Sequence, residues 1–183
     1  MKIAMKKSGK IALCGVVSAL CVVCMFLTGV FPYATYALPA LAGILLTIVV
    51  VEVGRKYAVC VYVAVSILSL LLAPDVEAKL VFIAFFGYYP ILKAVYEGLN
   101  RPRFAWGMKF CTFNCAVIGA YFVALQFLNV PADEFELFGV NLPLFFLLLG
   151  NLFFWLYDIA LTRMITYYIT RFHKRIRNLF QGQ

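Results

Sequence analysis

The chain opens MKIAMKKSGK over residues 1–10 and continues IALCGVVSALCVVCMFLTGV over residues 11–30. Lys2, Lys6, Lys7 and Lys10 are followed by a charge-free run from Ile11 to Val30. That is about the length an α-helix needs to cross a hydrocarbon core of roughly 30 Å at about 1.5 Å per residue. A secretory signal peptide begins in the same way, but its apolar core is usually about 7–15 residues and ends at a small-residue cleavage site. The run here is longer and no such site follows it, so it reads as a retained first span. Five further apolar stretches follow at roughly 34–53, 57–73, 78–97, 104–128 and 142–162.

With six spans the charges sort by side. The segment before span one, the second-to-third connection (Arg55, Lys56), the fourth-to-fifth (Lys93, Arg101, Arg103) and the C-terminal stretch (Arg163, Arg171, Lys174, Arg175, Arg177) share one face. With Lys109, just inside span five, that face holds 15 of the 16 Lys and Arg, and only Lys79 lies opposite. Basic residues are retained on the cytoplasmic side, so both termini are expected there, in the cell membrane. The acids Asp75, Glu77, Asp133, Glu134 and Glu136 fall in the opposite, external loops.

Composition agrees with lipid as the solvent: 65% of the 183 residues are hydrophobic, 13% are charged, and the mean hydropathy is +0.96. The fold expected is an all-α integral membrane protein, a single six-helix domain over 1–183. It has a cytoplasmic segment 1–10 and a basic tail 163–183 lying as an interfacial helix on anionic lipid. The net charge of +8 is accounted for by the inner membrane surface, which removes the reason to expect nucleic acid as a partner.

Catalytic chemistry is sparse. The only histidine is His173, in the basic tail, and no zinc-protease, nucleophile-elbow or phosphate-loop motif is present. An enzyme is not expected, and neither a metal nor a cofactor. The six cysteines all fall within spans and none in a loop, which suits packing between helices better than disulfides or thiol exchange.

Several polar or small residues stand out against the apolar background. Gly15 and Ala19 lie one turn apart in span one, a spacing that lets another helix approach closely, whether an internal neighbour or a partner subunit. The first external loop carries Tyr33, Thr35 and Tyr36, which suit an interfacial aromatic belt or the cap of a pocket. Pro39 and Gly43 are expected to open span two locally, and Pro90, after Gly87-Tyr88-Tyr89, to kink span four. Lys93 and Glu97 are spaced to pair along one helix. Gln126 and Asn129 end span five; Asn151 and Trp155 share a face of span six. Lys109 and Asp158 lie at similar depth and are expected to bridge, as a structural pair or as part of a relay, because an unpaired charge in hydrocarbon costs several kcal/mol.

On these features the chain resembles the substrate-binding S component of energy-coupling-factor (ECF) vitamin transporters. The resemblance rests on six spans, both termini inside, and Gly15 and Ala19 on the first helix, where that family has an alanine-x-x-x-alanine docking motif. It implies capture of a small micronutrient outside, with Tyr33, Thr35, Tyr36, Gln126, Asn151 and the deeper Trp155 as pocket candidates. Gly15 and Ala19 would dock a transmembrane coupling subunit that works with two ATPases, and membrane lipids complete the set of partners. Two other classes stay open: a ligand-free structural or accessory subunit, and a small secondary carrier using Asp158 as its ion-coupled acid.

Overall fold

The computed structural model of the chain describes residues 6–99, 101–127, 136–137 and 140–171. Among the described residues the regular elements are helices, apart from a two-residue antiparallel ladder that pairs Glu136 with Asn141 and Leu137 with Val140. The helices are α1 (Lys7–Leu27), α2 (Ala37–Glu52), α3 (Arg55–Leu72), α4 (Val76–Val81), α5 (Tyr89–Tyr96), α6 (Pro102–Phe127) and α7 (Leu142–Arg171). Among the described residues four helical segments are long and apolar enough to cross a bilayer: Lys7–Leu27, Arg55–Leu72, the composite Val76–Tyr96 and Leu147–Arg171. Ala37–Glu52 is apolar but shorter. The chain is therefore an all-α protein with the helices of a multi-pass membrane protein.

Its packing falls into two compact units, Met1–Val95 with Thr162–Gln183, and Tyr96–Leu161. In the first unit α1, α2 and α3 form the centre. Leu13, Val17, Cys21 and Met25 recur every four residues on α1 and are buried in one cluster with Leu46 of α2 and Val65 of α3. The opposite face of α1 (Ile11, Val16, Leu20, Val23) is exposed, as a helix bordered by lipid requires. The Cys21 thiol donates to the Ala42 carbonyl at 3.3 Å, so this cysteine does pack between helices. Cys60, Cys111 and Cys115 are exposed instead.

Glycine sets two close features of this unit. Gly54 sits at φ 107° and ends α2: its N–H and that of Val53 both reach the Val49 carbonyl, at 3.0 and 2.9 Å. A residue in the left-handed region closes a helix this way, and glycine adopts it without steric cost. At Gly87 a Cβ would lie 2.6 Å from the Tyr62 ring. The missing side chain is what lets α3 approach the composite helix there.

Proline acts where the backbone needs it. α2 is unbroken from Ala37 to Glu52 despite Pro39 and Gly43, because Pro39 occupies the first turn, where its absent N–H has no helical acceptor to satisfy. The distortion caused by Pro90 is displaced toward the N-terminus. Residues Phe82–Phe86 form a π-turn, in which Gly87 N–H bonds the Phe82 carbonyl at 2.8 Å rather than that of Ile83. Pro90 cannot donate to the Phe86 carbonyl and would clash with it, and the extra residue in the turn absorbs that conflict. Tyr62 donates to the Ile83 carbonyl at 2.8 Å, supplying the bond that Gly87 no longer makes.

Asp75 caps α4, accepting from the N–H groups of Glu77 and Ala78 at 2.9 and 3.2 Å. At the C-terminal end α7 does not stop at Arg163 but continues to Arg171. No glycine or proline lies between Leu152 and Arg171 to end it. The tail beyond Arg171 lies outside the described residues.

Candidate functional site

The second unit concentrates polar side chains along α6 and the part of α7 that belongs to it. The two helices run antiparallel, since contacts that climb α6 descend α7. Lys109 meets Asp158, Phe110 and Phe113 meet Phe154, and Asn114 meets Asn151. Phe113 stacks on Phe154 with ring centroids 4.8 Å apart, and it also lies against Gly150.

Lys109 is 4% exposed and Asp158 2%. The ammonium donates to Asp158 Oδ2 at 3.0 Å and to Glu97 Oε1 at 2.8 Å. It also lies 4.9 Å from the centroid of the Trp106 ring, on whose π face a cation is attracted. Such charge-assisted bonds are the strong ones, and their geometry offsets part of the cost of taking both charges out of water. The bridge between Lys109 and Asp158 thus forms, with Glu97 joining it from the turn after α5.

Two neutral contacts flank this cluster. The Thr112 hydroxyl donates to the Met108 carbonyl at 2.8 Å, so Tyr96, whose hydroxyl is 2.7 Å from Thr112 Oγ1, is the donor to it. Asn114 and Asn151 face each other: each amide nitrogen donates to the other's Oδ1, at 2.9 and 3.0 Å. Their remaining N–H groups reach the carbonyls of Phe110 and Leu147, at 2.8 and 2.7 Å. Both amides are satisfied within the protein. Trp155, one turn from Asn151, is exposed.

The other residues singled out above lie in the first unit or outside the description. Tyr33 is fully exposed. The Thr35 hydroxyl turns back onto the Pro32 carbonyl at 2.9 Å, closing the short 3₁₀ turn Pro32–Ala34. Tyr36 is exposed and its hydroxyl reaches Glu77 Oε2 at a long 3.4 Å. Partial burial, then the Glu77 carboxylate, push its phenol above its ordinary pKa, which keeps it protonated as the donor. Lys93 is almost wholly buried and donates to Thr162 Oγ1 at 2.8 Å. Gly15 and Ala19 are both exposed, and a Cβ built on Gly15 meets no atom within 4 Å. The Gln126 side chain, Asn129 and the acids Asp133 and Glu134 lie outside the described residues.

Three contributors were not apparent from the sequence: Glu97 as a partner of Lys109, Asn114 as the partner of Asn151, and Tyr62 at the π-turn. Asn114 carried a signal, an amide inside an apolar run; Glu97 did not, because its spacing pointed to Lys93. Among the described residues no group of His, Cys, Asp and Glu is placed to hold a metal ion. No known protein family, no curated protein and no solved structure matches the chain.

Proposed function

We propose that this chain is the substrate-binding membrane subunit of an ECF-type importer. In this reading it captures a small micronutrient outside the cell membrane and delivers it through a coupling subunit driven by two ATPases. The observation that carries the reading is the outer face of α1. Gly15 and Ala19 stand exposed one turn apart, with open space where a Gly15 side chain would be, so a helix of another subunit has room to approach closely.

With α2 and α6 counted, the chain crosses the membrane six times and both termini are cytoplasmic. Side-chain contacts in the first unit support that orientation. Lys10 lies over the Tyr57 ring, 5.9 Å from its centroid, and Tyr168 donates to Glu52 at 2.8 Å. These contacts gather the starts of α1 and α3 with the ends of α2 and α7, and with them Arg55, Lys56 and Arg171. At the opposite end Tyr36 meets Glu77 beside Asp75. A gathering of Lys and Arg at one end is what the positive-inside rule asks of the cytoplasmic side of a spanning unit.

The test is purification of the tagged full-length chain from its native membrane, followed by mass spectrometry of co-purifying proteins and released small molecules. A membrane coupling subunit, two ATPases and one stoichiometric small molecule are expected. Gly15→Leu should keep the small molecule while losing the ATPases. If the protein is intact but carries neither, the accessory-subunit reading replaces this one. If uptake by the lone protein follows a proton gradient and fails in Asp158→Asn, the carrier reading does.

A further inference from the structure

The π-turn at Phe82–Phe86 has a second arrangement of its hydrogen bonds within reach. Gly87 N–H bonds the Phe82 carbonyl, five residues back, at 2.8 Å; in an unbroken α-helix it would bond the Ile83 carbonyl, four residues back. The Ile83 carbonyl is held instead by the Tyr62 hydroxyl at 2.8 Å. At the entrance to the turn the ladder is already divided, since Phe82 N–H reaches the carbonyls of both Ala78 and Lys79. Pro90 biases the choice toward the π-turn, because its ring clashes with the Phe86 carbonyl in a regular helix.

An acceptor for the second arrangement is in place. Ser66 lies one turn beyond Tyr62 on α3. Its hydroxyl is buried and close to that of Tyr62, yet it has no hydrogen-bond partner among the described residues. A buried hydroxyl without a partner destabilises the arrangement that leaves it so. We infer that Phe82–Phe86 is a two-register switch latched by Tyr62. In one register the turn is π and Tyr62 bonds Ile83; in the other the helix is regular, Gly87 N–H takes Ile83, and the released Tyr62 hydroxyl bonds Ser66 Oγ. Each register has its own cost: the first leaves Ser66 unpaired, and the second presses Pro90 against Phe86. Gly87 has no side chain to obstruct the change, where a Cβ would lie 2.6 Å from the Tyr62 ring. Removing the extra residue from the turn rotates one half of the composite helix against the other by about 100° and shifts it by about 1.5 Å. The outer end, where Tyr36 meets Glu77, thus moves relative to mid-span. All these groups belong to the first unit, and the switch stands or falls separately from the importer proposal.

The test is NMR on the full-length chain in neutral detergent, isotope-labelled at the carbonyl carbons of phenylalanine and the amide nitrogens of glycine. Only Gly87 and Gly139 follow a phenylalanine, so a spectrum filtered for that peptide bond holds their two amide peaks, and Gly139→Ala tells them apart. The parent Gly87 peak should show microsecond-to-millisecond exchange, the range of helix register shifts. Tyr62→Phe and Pro90→Ala each weaken the π register and should move the peak along one line toward a common position. Ser66→Ala weakens the regular register and should move it the opposite way. Each hydrogen bond lost should change the ratio of the registers about fivefold. A Gly87 peak free of exchange and unmoved by Tyr62→Phe and Pro90→Ala means a rigid turn and overturns the switch. Displacements in unrelated directions, which would show local effects only, overturn it too. Should Pro90→Ala fail to fold, Tyr62→Phe and Ser66→Ala decide: opposite displacements uphold the switch, and any other pattern overturns it.

Discussion

The two units are held together by different means. The first packs apolar side chains against one another, with Leu13, Val17, Met25, Leu46, Val65 and Phe82 at its centre. The second brings α6 against α7 through a buried ion pair, a reciprocal amide pair and a stack of phenyl rings. In lipid the contrast has a physical consequence. Apolar contact between helices gains little over contact with acyl chains, so the α1–α2–α3 centre of the first unit depends on shape, and the second unit on polar groups that hydrocarbon would leave unsatisfied. The first should therefore respond to changes of volume and the second to changes of polarity.

Breaking the ion pair should have the largest effect. Lys109→Gln leaves Asp158 buried without its ammonium, and loss of one partner of a buried pair costs about 3–5 kcal/mol. We expect the variant to lose its melting transition in detergent at temperatures where the parent is folded. Asp158→Asn should do nearly as much, and exchanging the two residues should recover only part of the loss, since Glu97 would then face an aspartate. If either single change melts like the parent, the pair does not hold the second unit together.

In the first unit the matching experiment is steric. Gly87→Ala places a Cβ 2.6 Å from the Tyr62 ring, and overpacking of that kind costs about 1–3 kcal/mol. Thermal unfolding should register it, while Gly15→Ala, where there is open space, should melt as the parent does. If the two behave alike, the first unit is not governed by fit.

How far these features could be read in advance depended on whether their cause was local. The one-turn spacing of Gly15 and Ala19 on α1 and the matching depths of Lys109 and Asp158 follow from positions along single helices. The π-turn did not. Pro90 announces a distortion, but its missing N–H acts on a carbonyl one turn earlier, so the backbone yields at Phe82–Phe86. Asn151 was legible as an intramembrane amide, whereas its partner depends on the register of α6 against α7, which no single-helix pattern contains. The pocket candidates Tyr33, Thr35 and Tyr36 were legible only as a polar, aromatic loop, since what such a loop binds is a matter of other elements.

The amide pair offers an intermediate test. Interhelical hydrogen bonds within membranes contribute about 0.6 kcal/mol on average, and Asn114 and Asn151 share two. Asn114→Leu and Asn151→Leu should each destabilise by about 1 kcal/mol or more, because each leaves an amide facing a side chain that cannot pair with it. The double variant should be less damaging than the two effects added together. Strict additivity in that cycle would mean the amides act independently, against the reciprocal geometry.

The smallest effect expected is also the sharpest separation of the two units. Ser69, on α3, is fully buried and its hydroxyl has no hydrogen-bond partner among the described residues. A buried hydroxyl without a partner destabilises by about 1–3 kcal/mol relative to an apolar group of the same shape. Ser69→Ala removes it at the cost of a gap the size of one oxygen atom, so the net change should lie between nothing and about 1 kcal/mol of added stability. The same kind of truncation at Asn114, where both amide hydrogens are used, should go the opposite way. If Ser69→Ala lowers the melting temperature as much as Asn114→Ala does, the serine has a partner, and polar bonds hold the α1–α2–α3 centre as they hold the second unit.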